Sequence, residues 1–266
     1  MPFQQRVRHY VRKCAGAVLS LQARIPEGEW IFFPFYHWVL DDERRQFDRQ
    51  LKYLSRLGQC ISLDDAVDAM KNPAGIGGRY FCITFDDGFK NNITNALPIL
   101  LDNRCPATFY VPTDYIGLSF DRDREAIQQF YDLSQSYVLP FEFLDWDECR
   151  KLHAAGMTIG SHTCGHFPLL SLNDEQLEHE MRDSKLIIER EIKSPCLHFC
   201  CPWGTPGITM DAQVHPGVAQ RIGYRSFAIS VYGYNRAGDD PMLIHRRSML
   251  AYDGVSILRF ALWQCR

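Results

Sequence analysis

The sequence predicts an α/β protein in which helices cover a parallel β-sheet. Short apolar runs that suit buried strands alternate with amphipathic segments whose apolar residues recur at helical spacing. Repeated strand–helix alternation of this kind is typical of a parallel sheet. Functional side chains in such folds gather at the carboxyl ends of the strands. Carboxylates, histidines and a tryptophan directly follow three of the apolar runs, so we expect a site at that end of the sheet.

The predicted elements follow one another from residue 30. The predicted strands lie in WIFFPFYHWV (30–39), the start of CISLDDAVDAMKN (60–72), YFCITF (80–85), ATFYVP (107–112), MTIGSH (157–162), HFCCPWG (198–204) and RSFAISVYG (225–233). The predicted helices cover 42–58, the segment from Asp64 or Asp65, 91–103, 146–156, 174–192 and 218–223. Gly58 suits the C-cap of the first helix, and Asn173 or Asp174 suits the start of the longest one. The polar stretch 114–140 is predicted to be an insertion or lid.

Composition limits the classes of function. A net charge of -3 and a pI of about 6.3 leave no basic footprint for nucleic acid. The ten cysteines fall at irregular spacings, which favours free buried thiols in a reducing compartment over a disulfide framework. The pattern of a secretory signal and a bilayer-spanning apolar stretch are both missing from the sequence. A cytoplasmic location is therefore expected.

The N-terminal segment is basic. Residues 1–24 carry arginines and a lysine but no acidic residue, and their apolar residues recur at helical spacing. We predict an amphipathic helix within residues 1–29. Two interpretations stay open. The helix lies on an anionic membrane surface or docks a partner, which would place the protein at the inner membrane face; or it covers the domain and exposes a solvated basic face.

Two adjacent carboxylates stand at the end of the strand YFCITF. Asp86 and Asp87 precede Gly88. Neighbouring side chains on a strand point to opposite sides, so one carboxylate can bind a cation while the other stays free as a base. The alternative is that one of them caps the following helix.

A pair of histidines follows the strand MTIGS. His162 and His166 are four residues apart, but Gly165 and Pro168 favour a loop at the strand end over one face of a helix. Two histidines and a carboxylate, with positions left open for water, are the ligands of a catalytic rather than a structural zinc-type site. The sequence therefore predicts a catalytic metal centre.

Together these motifs resemble those of a known family. TFDDG (84–88) and SHTCGH (161–166) look like the first two motifs of the polysaccharide deacetylases, the NodB-homology group of carbohydrate esterase family 4. FCCPWGTPG (199–207) is similar to the family's Pro-aromatic-Gly motif, and FPFYHWV (33–39) to the N-terminal segment of its bacterial members. The resemblance implies a distorted (β/α) barrel of about seven strands, with residues 30–266 as a single domain. It also implies a metal-dependent hydrolase that removes an acetyl group from a saccharide: an N-acetyl group, through a carbon–nitrogen bond other than a peptide bond, or else an O-acetyl group.

The resemblance assigns roles to the motif residues. Asp86 matches the general base, and the expected metal ligands are Asp87, His162 and His166. The expected cofactor is a divalent ion, zinc first, with cobalt or nickel as other candidates; such an ion lowers the pKa of a bound water and polarises the scissile carbonyl. The backbone N–H of Trp203 matches the donor to the tetrahedral oxyanion.

The C-terminal part departs from the family pattern. LIH (243–245) matches the family's Leu-x-His motif and nominates His245 as the general acid. Many members orient the base with an arginine at the position of Cys200. Here Arg246 or Arg247 is expected to supply that charge, an arrangement that would displace His245 from the acid role.

Substrate contacts are expected at the aromatic rim. The candidates are His37, Phe89 and Trp203, whose rings either stack on sugar faces or only pack. The expected substrate is a nucleotide-linked, lipid-linked or polymeric saccharide in the synthesis of a cell-surface polysaccharide. Two alternatives remain: a related amide hydrolase on the same scaffold, such as a deformylase or cyclic-imide hydrolase, and a non-catalytic carbohydrate-binding protein that retains the metal site.

Overall fold

The structure, a computed structural model, describes residues 23–72, 74–134 and 142–265. The predicted basic helix lies outside these residues except for 23–29, which contain no helix, and the last part of the predicted insertion, 135–140, also lies outside them. The division into an N-terminal helix and a single domain therefore stays a prediction.

The strands of the described residues form two parallel sheets. In chain order they are β1 (Trp30–Phe32), β2 (Pro34–Tyr36), β3 (Gln59–Cys60), β4 (Arg79–Phe81), β5 (Ile83–Phe85), β6 (Ala107–Val111), β7 (Thr158–Ser161), β8 (His198–Cys200), β9 (Ser226–Ala228) and β10 (Arg247–Ser248). The main sheet has seven of them in the order β10-β2-β5-β6-β7-β8-β9, and β1, β4 and β3 form the smaller sheet. The prediction of a parallel α/β fold with about seven strands is confirmed.

One segment joins the two edges of the main sheet. Ile244 bridges to Ala228 in β9, and Arg247 pairs with Pro34 in β2 a few residues later. Because the same stretch of chain contacts both edges, the sheet curls into a distorted barrel. Arg246 lies within this stretch, and its side chain is completely buried.

Helices follow most of the strands. In the described ranges they are α1 (Arg44–Leu54), α2 (Leu63–Lys71), α3 (Leu97–Asp102), α4 (Arg124–Ser134), α5 (Trp146–Ala154), α6 (Asp174–Ile192), α7 (His215–Ile222) and α8 (Val255–Gln264). The bounds of α6 match the prediction, and Asn173 is its N-cap, accepting a hydrogen bond from the backbone of Gln176. Neither α8 nor β10 was predicted.

The predicted role of Gly58 as a helix C-cap is wrong. Helix α1 ends at Leu54 and its C-cap is Ser55. Gly58 instead lies against the backbone of Arg79, where an added Cβ would come within 2.2 Å of the carbonyl oxygen. Glycine is required there because two backbones approach closely.

Two apolar runs that were each predicted as one strand divide between the two sheets. WIFFPFYHWV contributes β1 and β2, and YFCITF contributes most of β4 and all of β5, with Cys82 at the break. The Cys82 N–H donates to the Phe32 carbonyl at 3.0 Å, so the two runs stay paired across the break. Because of this division, β5 belongs to the main sheet and ends at the mouth of the barrel.

Aromatic side chains fill the core beneath that mouth. The rings of Phe85 and Phe109 stack with centroids 4.9 Å apart, and Tyr36 stacks on Phe85 from the other side at 5.5 Å. The Tyr36 hydroxyl donates to Gln50 at 2.7 Å, which satisfies its polar end. Within the described ranges, no helix combines the length and apolar character needed to cross a bilayer.

Candidate active site

The predicted site residues meet at the carboxyl ends of the strands of the main sheet. Asp86 and Asp87 follow β5, His162 follows β7, and His37 follows β2. The two carboxylates and His162 are buried, with relative exposures of 3%, 8% and 2%. Buried charged groups require partners, and those partners define the site.

Asp87 and the two predicted histidine ligands form one compact group. Oδ1 of Asp87 lies 3.5 Å from Nε2 of His162 and 3.4 Å from Nε2 of His166. Two ligands at about 2.1 Å from a shared tetrahedral zinc ion lie about 3.4 Å apart. One ligand atom from each of the three residues lies within 4.8 Å of the others. This His₂Asp donor set therefore fits a divalent cation.

The ring of His162 is oriented by the backbone of the neighbouring strand. Its Nδ1 lies 2.8 Å from the carbonyl oxygen of Cys200, at the end of β8. A carbonyl oxygen only accepts hydrogen bonds, so Nδ1 carries a proton, and Nε2 is the ring nitrogen that faces Asp87. Metal-binding histidines commonly have a partner of this kind on the second nitrogen.

His166 is held by rings instead. The Phe130 ring centroid lies 4.7 Å from that of His166, and the Trp203 centroid lies 4.6 Å from it. Among the described residues, Nδ1 of His166 has no hydrogen-bond partner. Aromatic packing therefore positions this imidazole.

Asp86 faces a different partner. Its two carboxylate oxygens accept one hydrogen bond each from Arg246, both at 2.8 Å. The same guanidinium donates to Thr84 Oγ1 at 3.1 Å and to Cys200 Sγ at 2.9 Å, and it stacks 4.4 Å over the ring of Phe35. Of the two arginines considered from the sequence, Arg246 supplies the charge beside Asp86. Arg247 stacks over Tyr232 instead.

The two carboxylates are kept ionised by different neighbours. Burial raises the pKa of Asp86, but the Arg246 guanidinium outweighs it and holds that pKa below its ordinary value. Burial also raises the pKa of Asp87, and nearby imidazoles outweigh it, so that pKa too lies well below the ordinary range. The imidazoles are those of His37, His162 and His166. Both aspartates are therefore negative at neutral pH.

Backbone strain is concentrated at the same residues. Asp87, His166 and Trp203 have φ angles of 72°, 58° and 55°. Left-handed conformations of non-glycine residues cost about 1 kcal/mol or more each and persist where the surroundings determine them. Gly88, with φ of 64°, completes the turn after the carboxylates. These conformations allow the side chains of adjacent residues to point in different directions.

The Trp203 backbone is suited to binding an oxyanion. Its N–H lies in the strained turn after β8, and within the described part of the chain no acceptor is paired with it. An unpaired backbone N–H is costly unless water or a ligand accepts its hydrogen bond. The predicted donor role of Trp203 is consistent with this position.

His37 and His245 occupy different places. Nε2 of His37 lies 4.0 Å from Oδ2 of Asp87, and its side chain is 31% exposed, so it is within reach of a substrate. His245 packs against Gly233, where an added Cβ would lie 2.6 Å from Nδ1 of His245, and its backbone N–H donates to Asn235. The acid role predicted for His245 is not tested by this placement and stays a prediction.

Residues 115–130 pack on the site through a hydrophobic cluster rich in aromatic rings. The buried members are Phe89, Tyr115, Ile127, Phe130 and Phe143. Phe89, predicted to contact substrate, is 1% exposed within this cluster, a position that suits support of α4 more than stacking on a sugar. The contact with substrate stays a prediction for this residue.

Two residues that hold the histidine loop were missed from the sequence. Phe130 lies in a segment with few distinguishing features, and only its contact with His166 reveals its role. Glu180 accepts the backbone N–H groups of Cys164 and Gly165, both at 2.8 Å. The sequence did contain an indication of a buried role for Glu180, because this acidic residue stands between Leu177 and Met181 on the buried face of α6.

Comparisons with known proteins agree with this geometry. The family model for polysaccharide deacetylases matches residues 76–227. YxkH of Bacillus subtilis (strain 168), whose name places it among polysaccharide deacetylases, is 23% identical over 190 residues, which are 67% of this chain and 60% of that protein. The chain thus spans less than two thirds of that relative's length.

Solved structures show the same fold. IcaB from Ammonifex degensii superposes with a TM-score of 0.70 at 20% identity, covering 90% of this chain and 99% of that one. The Streptococcus pyogenes deacetylase PplD, solved in complex with acetate, superposes with a TM-score of 0.68 at 19% identity, covering 88% of this chain and 98% of that one.

Proposed function

The chain belongs to the polysaccharide deacetylase family, and on that premise we propose that it is a metal-dependent hydrolase that removes the N-acetyl group of a saccharide. The observation that carries the proposal is the division of labour between the two adjacent aspartates. Asp87 lies with two histidines, whereas Asp86 is bound by Arg246. A site that only bound metal would not need the second carboxylate.

The residues that would hold the cation are Asp87, His162 and His166, whose ligand atoms lie together and are buried. When bound there, a divalent cation would supply Lewis-acid chemistry, acidifying a water molecule and polarising the acyl carbonyl. Zinc fits the imidazole and carboxylate donors, and cobalt or nickel accept the same ligands.

Asp86 would act as the general base. Its carboxylate is deprotonated at neutral pH, next to the Asp87 group but held by Arg246. It would accept a proton from the attacking water as the carbon–oxygen bond forms. Arg246 uses two donors on the carboxylate and others on Thr84 and Cys200, which fixes the orientation of the base.

The tetrahedral oxyanion needs donors, and the leaving nitrogen needs a proton. The Trp203 N–H would supply a hydrogen bond to the oxyanion, an interaction typically worth about 3 kcal/mol of activation free energy. His37 faces Asp87 from the exposed side of the site and would deliver the proton as the carbon–nitrogen bond breaks. The proposed proton donor is therefore His37, near the start of the barrel, and His245 is the alternative donor. The products are acetate and the free amine.

The substrate proposed for this site is a saccharide in the synthesis of a cell-surface polysaccharide, met as a polymer or as a nucleotide-linked or lipid-linked precursor. Partial exposure of His37 and of Trp203 beside the buried carboxylates suits a ligand that approaches from one side. The rings of Trp203 and Trp38 offer apolar surface for a sugar face. A cytoplasmic location, with contact between residues 1–24 and an anionic membrane, belongs to the same proposal and would be tested by binding to anionic vesicles with and without those residues.

The decisive experiment measures metal content and acyl release together. Wild type, Asp86→Asn and Asp87→Asn are analysed for bound metal and for acetate released from N-acetylated oligosaccharides. We expect near-stoichiometric metal in wild type and Asp86→Asn, acetate from wild type alone, and loss of metal in Asp87→Asn. Full activity of Asp86→Asn would contradict the mechanism.

The rival activities have distinct outcomes in the same experiment. Formate or a ring-opened product from wild type, in place of acetate, would identify another amide hydrolase on this scaffold. Metal in wild type with saccharide binding and no release of any acyl group would indicate a carbohydrate-binding protein.

A further inference from the structure

A pair of cysteines outside the candidate active site lies in contact. Cys60 ends β3, the edge strand of the small sheet, where it pairs with Phe81 of β4. Cys105 stands two residues before β6, which pairs with β5 starting at Ile83. The two thiols therefore approach each other from strands on either side of the stretch that forms β4 and β5. They are 45 residues apart in the chain.

The two sulfur atoms are only 2.6 Å apart. This is closer than the van der Waals contact of non-bonded sulfurs and about 0.5 Å longer than a disulfide bond. Both side chains belong to the main hydrophobic core or pack against it, Cys105 being 2% exposed. The surrounding β3–β4 and β5–β6 pairings hold the two backbones in place, so the approach is built into the fold and does not depend on a flexible loop.

We propose that Cys60 and Cys105 are a modification site at which a small-molecule disulfide oxidant, of the glutathione class, forms an intramolecular disulfide. Cys60 is the partly exposed member of the pair and is the point of entry. Its thiolate attacks one sulfur of the oxidant, releasing one thiol and leaving a mixed disulfide on Cys60. The Cys105 thiolate then attacks the Cys60 sulfur and releases the second thiol. The protein loses two electrons and two protons, and the oxidant gains both.

The bond would join the small sheet to the main barrel. It would close a loop that begins at the end of β3 and contains α2, β4, β5 and α3. Cross-linking a loop of this length restricts the unfolded chain and is expected to raise the melting temperature by roughly 10 °C. The bond lies outside the group formed by Asp87 and the histidines, so metal content should not change.

The test uses the full-length protein, incubated with oxidised glutathione, denatured, alkylated with N-ethylmaleimide and digested without reductant. Mass spectrometry should find a peptide pair joined through Cys60 and Cys105, two hydrogen masses lighter than the reduced pair. Dithiothreitol before alkylation should remove it. The melting temperature of the oxidised protein should fall by roughly 10 °C on reduction.

Matched variants separate this pair from the other thiols. Cys60→Ala and Cys105→Ala should each lose the linked peptide and the effect of reduction on the melting temperature. Cys82→Ala, which removes a buried thiol from the adjoining strand break, should keep both. Any of three results would overturn the proposal: complete alkylation of Cys60 and Cys105 after oxidation, a mixed disulfide that stops at Cys60, or a Cys60–Cys82 link. The wild-type measurement is decisive even if a variant does not fold.

Discussion

Arg246 donates to both oxygens of the Asp86 carboxylate from a completely buried position. The same guanidinium contacts Sγ of Cys200, the position at which the sequence resemblance led us to look for an arginine. A small thiol at residue 200 leaves room for the guanidinium of Arg246, which lies 46 residues later, directly before β10. Arg246 thus supplies the positive charge beside Asp86.

We expect Arg246→Met to destabilise the protein and to slow turnover. Removing one member of a buried pair leaves the Asp86 charge unpaired, which typically costs about 3–5 kcal/mol. Because Arg246 also lowers the pKa of Asp86, the acid limb of the kcat/KM profile should move to higher pH. The kcat itself should fall about 100-fold as the carboxylate loses its orientation. Urea unfolding and a pH–rate profile measure these effects.

Arg247→Met is the matched control for this prediction. Arg247 is the next residue but stacks on Tyr232 and bonds to Gln264 near the surface. Its loss should change stability by less than about 1 kcal/mol and leave the pH profile in place. If the two variants behaved alike, the assignment of Arg246 to the base would be wrong.

Substitution of the two candidate proton donors should have unequal effects. His37→Gln should lower kcat by at least about 100-fold, because general acid catalysis typically contributes that much. His245→Gln should keep kcat within about threefold, since this side chain packs against Gly233. Metal content should stay unchanged in both. A large loss of kcat in His245→Gln with normal activity in His37→Gln would restore His245 to the acid role.

The sequence located the candidate metal ligands because they stand beside strand ends. Asp86, Asp87 and the two histidines follow apolar runs whose identity as parallel strands is clear from composition. Parallel strands bring their carboxyl ends together, so the grouping follows from the alternation of elements. The adjacency of the two aspartates likewise indicated two different roles before any geometry was known.

The choice between Arg246 and Arg247 could not be made from the sequence. It depends on which side chain points inward between Ile244, which bridges to β9, and Arg247, which pairs with β2. In a segment that changes strand partners, side chains do not alternate regularly between the two faces of the sheet. The direction of each side chain there therefore does not follow from its position in the sequence. The break at Cys82 was hidden for a similar reason, because both halves of YFCITF are equally apolar. Tertiary packing decides both features.

Phe130 should influence metal affinity without binding the metal. Its ring lies 4.7 Å from His166, an imidazole whose Nδ1 has no hydrogen-bond partner among the described residues. Phe130→Leu should loosen this ligand and weaken zinc binding by about tenfold, the lower end of the usual effect of ligand-supporting residues. Competition with a chromogenic chelator measures the Kd directly.

Phe143→Leu controls for loss of ring volume in the same cluster. The Phe143 ring lies 5.2 Å from that of Phe130, and its substitution removes the same atoms from the core. Both variants should lower the melting temperature to a similar extent, but only Phe130→Leu should change the Kd for zinc. Equal Kd values for the two variants would show that the aromatic contact does not position His166.

Glu43 should make stability depend on pH near neutrality. Its side chain is 3% exposed, and burial, aided by Asp42 and Asp253, raises its pKa from 4.5 to about 7, although a hydrogen bond from the Leu40 N–H opposes the shift. A carboxyl group whose pKa is higher in the folded than in the unfolded protein contributes its full stabilisation when the pH is below the unfolded-state pKa. That contribution, up to about 3 kcal/mol, is lost as the pH rises through about 7.

Urea unfolding between pH 4.5 and pH 8 in wild type and Glu43→Gln measures this effect. Glutamine keeps an acceptor for the Leu40 N–H and adds an amide where Oε1 has no partner among the described residues, so Glu43→Gln should be the more stable protein at pH 8. The advantage should shrink as the pH falls below 7, because the wild-type carboxyl is then neutral. Glu27→Gln, at an exposed position, should follow the wild-type curve. If the stability advantage of Glu43→Gln stayed constant between pH 4.5 and pH 8, Glu43 would not titrate in that range. The inference that its carboxyl group is buried in the neutral form would then be wrong.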